Sequence, residues 1–211
     1  MILILIIIII IFIIFIINII IINQESILHY LNTFNNNFNK EGLSVPPIII
    51  NKVMNFIKNI KNINEYIFID FGCGSGKMID KVYPIVNKVE GIEYNIIEAN
   101  NTADRFKTIS NIKIYPINMI DYKFKQTKTI LYLYEPLWLM DKEQALDIYS
   151  TIFKNLKENK EKTYVIYCSA TKSKFLYIDF FKKYNLKIIK LIKISRGIPF
   201  IYNNLYFLET S

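Results

Sequence analysis

Residues 68–78, FIDFGCGSGKM, carry three glycines at alternate positions immediately after a run of β-branched and aromatic residues. A buried strand that breaks at once into glycines is the pattern of an α/β turn, because glycine enters left-handed backbone without a Cβ penalty. The spacing restricts the ligand as well as the fold. A phosphate-cradling loop needs GxxxxGK[ST]; Gly76-Lys77 fits, but Phe71 stands at the first glycine position and Met78 where a magnesium-binding hydroxyl belongs. A dinucleotide fingerprint needs GxGxxG; Gly72 and Gly74 fit, but Lys77 takes the sixth position and the third glycine falls one residue early, at Gly76.

Around this turn, strand and helix patterns alternate. Apolar residues at three- and four-residue intervals predict a helix over about 48–62, followed by a short buried strand, EYIFIDF, at 65–71. GKMIDKVYPIV reads as a helix, KVEGIE (88–93) as a second strand, NIIEANNTADRFKTI as a helix and IKIYPI as a third strand. TILYLY (129–134) is a fourth strand, and DKEQALDIYSTIFKNLKEN a long helix that Asp141 can cap with Gln144 three residues on. TYVIYC (163–168) is a fifth strand, followed by the helical KSKFLYIDFFKKY. The end differs: LKIIKLIKI and IPFIYNNLYFLET are two strands joined by SRG with no helix between, so they must pair antiparallel at the sheet edge. Strands alternating with helices imply a mostly parallel sheet covered on both faces.

FIDFGCGSG, with an acidic residue two before a GxGxG turn, resembles the first motif of the class I S-adenosylmethionine-dependent methyltransferases. The resemblance covers about residues 46–211. It implies a Rossmann-like, seven-stranded, mostly parallel sheet with a terminal antiparallel strand, and S-adenosylmethionine as cofactor. On that analogy Asp70 braces the turn and reaches the cofactor's amino-acid end. Gly72, Cys73, Gly74 and Gly76 let backbone approach the methionine and ribose portions, and the following helix offers its N-terminal N–H groups. Glu93, 23 residues after Asp70, is placed to accept both ribose hydroxyls, although a nicotinamide enzyme would also carry an acid here. Glu90 is an alternative whose alternation phase points elsewhere. Asn118 aligns with the family's adenine-binding acid and can accept through its carbonyl oxygen; Asp121 is its neighbour, and Met119 or Ile120 can line the adenine face.

The acceptor side is read from LYLYEPLW at the end of the fourth strand. Tyr134, Glu135, Pro136 and Leu137 stand where many members carry an amide or acid followed by Pro-Pro-Tyr. Glu135 can hold a lysine ammonium or help remove its proton, since methyl transfer needs the neutral amine. Tyr132, Tyr134 and Trp138 can wall such a group. The GIE segment, the Val-Pro ahead of the first motif and the apolar N-terminus also resemble membrane- or organelle-associated lysine methyltransferases.

Residues 1–22 contain no charged side chain and one polar one, Asn18. A helix of that length crosses a hydrocarbon core of roughly 30 Å, and no basic n-region or small-residue cleavage site marks a signal peptide. The expected organisation is a membrane anchor over 1–22, an Asn-rich linker with a short helix over 23–45, and a methyltransferase domain over 46–211. Lys40, Lys52, Lys58 and Lys61 follow the span and place that domain on the cytosolic side of a single-pass membrane protein. The net charge of +8 comes almost wholly from lysine, since Arg105 and Arg196 are the only arginines. Arginine is the residue suited to bidentate phosphate and base recognition, so its scarcity counts against nucleic acid as partner. Cys73 and Cys168 lie far apart without CxxC spacing, and His29 stands alone, so neither a disulfide framework nor a metal site is expected.

These readings converge on a transferase that methylates a nitrogen, with a lysine of a protein as expected acceptor. A catalytically silent, methyltransferase-like binding module is the alternative. An NAD-type oxidoreductase comes third, disfavoured by the GxGxG spacing and the terminal hairpin. Oligomeric state is not legible.

Overall fold

The computed structural model describes residues 45–134, 142–169, 178–195 and 202–210. The isoleucine-rich run, the Asn-rich linker, Asp141, Arg196 and the segment from Glu135 through Trp138 lie outside them. Among the described residues no helix is long and apolar enough to cross a membrane.

Helix α1, Pro47–Ile57, starts with Pro47 at its first position, where a missing N–H costs nothing, and buries Ile49, Val53 and Ile57 at four-residue spacing. Each such burial stabilises by about 2 kcal/mol. A 3₁₀ turn, Ile63–Glu65, leads into β1, Ile67–Phe71, all five residues of which are buried. Then come α2 (Ile79–Val82), β2 (Lys88–Ile92), α3 (Ile96–Phe106) and β3 (Ile112–Tyr115). After a 3₁₀ turn at Met119–Asp121 follow β4 (Thr129–Tyr134), α4 (Lys142–Lys157), β5 (Thr163–Ser169), α5 (Ile178–Lys183), β6 (Leu186–Ser195) and β7 (Tyr202–Thr210).

The seven strands form one sheet in the order β3-β2-β1-β4-β5-β7-β6. β1 through β5 pair parallel, whereas β7 runs antiparallel to β5 and takes the place between β5 and β6. One face is covered by α1, α2 and α3, through Val53, Ile79, Phe106 and their neighbours. The other is covered by α4 and α5, through Tyr149, Phe153 and Phe181. Parallel strands buried on both faces explain why the strand sequences are nearly continuously apolar.

The helix read over residues 76–86 is the main difference from expectation: only Ile79–Val82 is α-helical. Gly76 at φ +77° keeps its start out of the helix, and although Tyr83 still has helical backbone, Pro84 has no N–H to continue the hydrogen-bond ladder. The helix begins three residues past Gly76, and its second residue is tied back to the turn. Asp80 N–H donates to the Gly76 carbonyl at 3.0 Å.

Candidate functional site

β1 pairs with β2 on one side and β4 on the other, so chain order reverses at β1. Crevices at such switch points, outside the carboxyl ends of the strands, are where open α/β sheets bind ligands. The glycine turn lies there. Gly72, Gly74 and Gly76 all take positive φ, at 76°, 47° and 77°. The amides of Gly72 and Cys73 both donate to the Ile92 carbonyl, at 2.8 and 3.1 Å, which pins the turn to the end of β2.

Asp70 lies in register with Gly91 and Tyr132 and is 3 % exposed. Burial first, and the nearby Glu93 charge second, push its pKa up to about 8, and no described cation or donor offsets that rise. Glu93 follows β2. Its Oε2 accepts from Gly74 N–H at 3.0 Å and its Oε1 from Asn95 N–H at 2.9 Å. Asn95 in turn caps α3, accepting from Ile97 and Glu98 N–H. Each carboxylate oxygen of Glu93 therefore holds one backbone donor and keeps acceptor capacity for another.

Glu98 completes the acidic surroundings. Burial raises the Cys73 thiol pKa, and the charges of Asp70, Glu93 and Glu98 raise it further. Three carboxylates thus converge on one turn. Cys73 itself is buried in the core with its sulfur close to Gly91.

An open cavity of about 690 Å³ begins one residue beyond Glu93. Tyr94, Asn95, Ile96 and Ile97 form one side, and Pro116, Ile117, Asn118 and Asp121 the other. Asn118 does line it, but its Oδ1 accepts from Ile120 N–H at 3.2 Å and caps the 3₁₀ turn. That oxygen keeps a second lone pair, so the cap leaves room for the acceptor role expected from the sequence, and Asp121 is a second acceptor on that wall. Met119 packs against the α4 layer and is not among the lining residues; Pro116 and Ile117 provide the apolar surface there.

Beneath this wall sits a feature the sequence reading set aside. Glu90, with no exposed surface, accepts from Lys88 Nζ at 2.7 Å, from Lys125 Nζ at 2.8 Å and from the Tyr122 hydroxyl. Burial alone would raise its pKa, but these bonds outweigh it and hold the carboxyl at about 2. The Tyr122 ring meets Phe71, Tyr115 and Phe124 edge-on. The pair network and the aromatic cluster fix the 116–125 segment on the sheet.

On the acceptor side, Tyr134 ends β4 half-buried against the α1 layer. Glu135 lies outside the described residues. Among those residues no group of three or more His, Cys, Asp or Glu side chains is arranged to hold a metal ion. Sequence reading missed Gly91, Asn95, Thr102 and Arg105. Asn95 had a signal, since Asn with Glu98 three residues on is an N-terminal capping pattern; the other three touch the turn only through tertiary structure.

No protein-family model matches the chain, and no curated protein matches it in sequence. Solved structures do. Magnesium protoporphyrin IX methyltransferase from Synechocystis with bound S-adenosylmethionine superposes with a TM-score of 0.60 at 12 % identity, over 77 % of this chain and 78 % of that one. An N-methyltransferase from Bradyrhizobium japonicum gives 0.57 at 12 % identity, over 78 % and 97 %. A SAM-dependent methyltransferase from Leishmania major gives 0.58 at 9 % identity, over 76 % and 71 %. These likenesses establish the fold, the seven-stranded one of the S-adenosylmethionine-dependent methyltransferases.

Proposed function

We propose that this protein binds S-adenosylmethionine at the β1–β2 crevice and transfers its methyl group to a nitrogen nucleophile. The observation that carries the reading is the sign of the charge at the glycine turn. Asp70, Glu93 and Glu98 surround it. A dinucleotide's anionic pyrophosphate would meet the Glu93 carboxylate and hold Asp70 protonated, whereas S-adenosylmethionine brings an ammonium beside which Asp70 can ionise. The arginine at the turn, Arg105, is already paired with Asp80. The buried Asp70 carboxyl, which lacks a cation, suits the ammonium. The free acceptor capacity of Glu93 suits two ribose hydroxyls, and the apolar wall of Ile96, Ile97, Pro116 and Ile117 suits a flat base.

When bound, S-adenosylmethionine supplies an electrophilic methyl group. The chain's own task is then to orient the acceptor in line with that methyl and to exclude water, with a carboxylate to take a proton from an ammonium acceptor. In the finer reading the acceptor is a lysine of a protein, with Tyr134 and Glu135 at the end of β4 receiving it, and the isoleucine-rich run over 1–22 anchors the domain, 46–211, to a membrane on its cytosolic side. The structural relatives' own acceptors differ, a porphyrin in one case, so this finer reading rests on LYLYEPLW alone.

The test uses the full chain in mild detergent. Calorimetric titration with S-adenosylmethionine, S-adenosylhomocysteine and NADH is expected to give saturable binding of the first two and none of the third. Binding of NADH alone would sink the proposal. Radiolabelled methyl transfer to proteins of a membrane-containing extract tests the acceptor, and binding without any transfer would favour the silent binding module.

A further inference from the structure

The glycine turn is gripped from one side by α3. Thr102, 2 % exposed, donates from its hydroxyl to the Gly74 carbonyl at 2.7 Å. One turn further along, the Arg105 guanidinium donates to the Ser75 carbonyl and pairs with Asp80 of α2. The Phe106 ring closes the space beneath Gly76, where a Cβ would come within 2.6 Å of it. Glu98, Thr102, Arg105 and Phe106 thus put one face of α3 against residues 74–76.

A trans peptide is planar, and its C=O and N–H point in opposite directions. Holding the Gly74 carbonyl on α3 therefore turns the next amide, Ser75 N–H, away from α3. The neighbouring donors are engaged: Gly74 N–H by Glu93 and Gly76 N–H by the Cys73 carbonyl at 2.9 Å. Ser75 N–H is the one of these three amides that meets no acceptor among the described residues.

We propose that Thr102 is a positioning residue for the cofactor turn. Its hydroxyl sets the Gly74–Ser75 peptide so that Ser75 N–H faces a polar ligand atom, and Arg105 fixes the following peptide in the same sense. The assignment to a cofactor rests on the methyl-donor reading above; the control of peptide orientation does not. Packing alone would give a different dependence on side chain. The Thr102 methyl lies 3.2 Å from where a Gly76 Cβ would be, so a purely packed residue would need the methyl and not the hydroxyl.

Thr102→Val keeps the shape and loses the hydroxyl; Thr102→Ser does the reverse. Two quantities are measured on the full chain: amide hydrogen exchange at residues 74–76 without ligand, and calorimetric affinity for S-adenosylhomocysteine. Thr102→Val is expected to speed exchange at the hydrogen-bonded Gly74 and Gly76 amides by about tenfold with β4 and β5 unchanged, and to weaken binding by about tenfold, as loss of one buried hydrogen bond implies. Thr102→Ser is expected to stay within roughly threefold of the wild type in both. Unchanged exchange and affinity in Thr102→Val, or equal damage in Thr102→Ser, would overturn the proposal. If Thr102→Val proves too unstable, Arg105→Gln replaces it, with the same direction expected at 74–76 and no change there counting against the clamp. A wild type that fails to bind S-adenosylhomocysteine overturns the functional reading, and the exchange comparison alone then decides whether Thr102 orients the turn.

Discussion

Gly74 donates its amide hydrogen to Glu93 Oε2 across 3.0 Å, which ties the turn after β1 to the residue that follows β2. Glu93 is thus both a brace of the turn and the candidate ribose acceptor. The two roles separate by substitution. Glu93→Gln keeps one acceptor oxygen and is expected to weaken S-adenosylhomocysteine binding by roughly tenfold, while Glu93→Ala weakens it by roughly a hundredfold, in line with the loss of charge-assisted hydrogen bonds. Calorimetry reads both. An Ala variant that binds as the wild type does would remove Glu93 from the site.

Asp70 makes the unliganded protein sensitive to pH in an unusual direction. Its pKa in the folded chain is about 8, against an ordinary aspartate value of 3.8, so the folded state holds that proton more tightly than the unfolded one. The stability it contributes is fully present below about pH 4 and is lost as pH rises through about 8. The unliganded chain is therefore expected to lose thermal stability steadily between about pH 4 and 8, and Asp70→Asn to flatten that slope. A ligand ammonium beside Asp70 lowers its pKa again, so binding near pH 7 releases a proton. Titration in buffers of different ionisation enthalpy measures the release; its absence would separate Asp70 from the ammonium.

Much of this site is legible in sequence because it is local. FIDFGCGSG contains strand, acid and turn in nine residues, and Glu93 follows at the end of the next strand. What stayed hidden is what the fold brings from a distance. Thr102 lies 28 residues from the carbonyl it holds, and nothing in NNTADRF marks it. Asn118 aligned with an acid, but short polar side chains also cap the turns they begin, and its Oδ1 accepts from Ile120 N–H. The strand at IKIYPI stopped at Tyr115 because Pro116 has no N–H to give a ladder. The apolar alternation that revealed the strands says nothing of Glu90, whose charge is met by Lys88 of the same strand and by Lys125 and Tyr122 from beyond β3.

Glu90 supports the cavity wall, and its titration runs opposite to that of Asp70. Its folded pKa of about 2 lies below the ordinary glutamate value of 4.5, so its contribution is present above about pH 4.5 and fades as pH falls toward 2. Removing the carboxyl leaves Lys88, Lys125 and Tyr122 without their shared acceptor. Glu90→Ala is expected to cost about 3–5 kcal/mol in urea unfolding, and Tyr122→Phe about 1–2 kcal/mol. A Glu90→Ala variant as stable as the wild type above pH 5 would show that the network does not hold the 116–125 segment.

Gly91 and Gly76 test the close packing behind the turn. A Cβ on Gly91 would sit 2.6 Å from Ile114 Cδ1 and 2.9 Å from both Cys73 Sγ and Ile79 Cδ1, in ordinary strand backbone. The neighbours on all three sides are buried or partly buried, so β2 or the turn must move. Gly91→Ala is expected to cost about 1–3 kcal/mol by overpacking. Gly76→Ala adds a left-handed backbone penalty of about 1–2 kcal/mol to its contact with Phe106, so it is expected to be the more damaging of the two. The pair also differs in what ligand does. Cofactor binding reinforces the turn, so saturating S-adenosylhomocysteine should recover part of the stability lost in Gly91→Ala. Gly76→Ala deforms the cradle itself and should lose the ligand shift altogether. Melting curves with and without S-adenosylhomocysteine distinguish the two, and equal ligand shifts in both variants would mean that the conformation at Gly76 is not part of the binding surface.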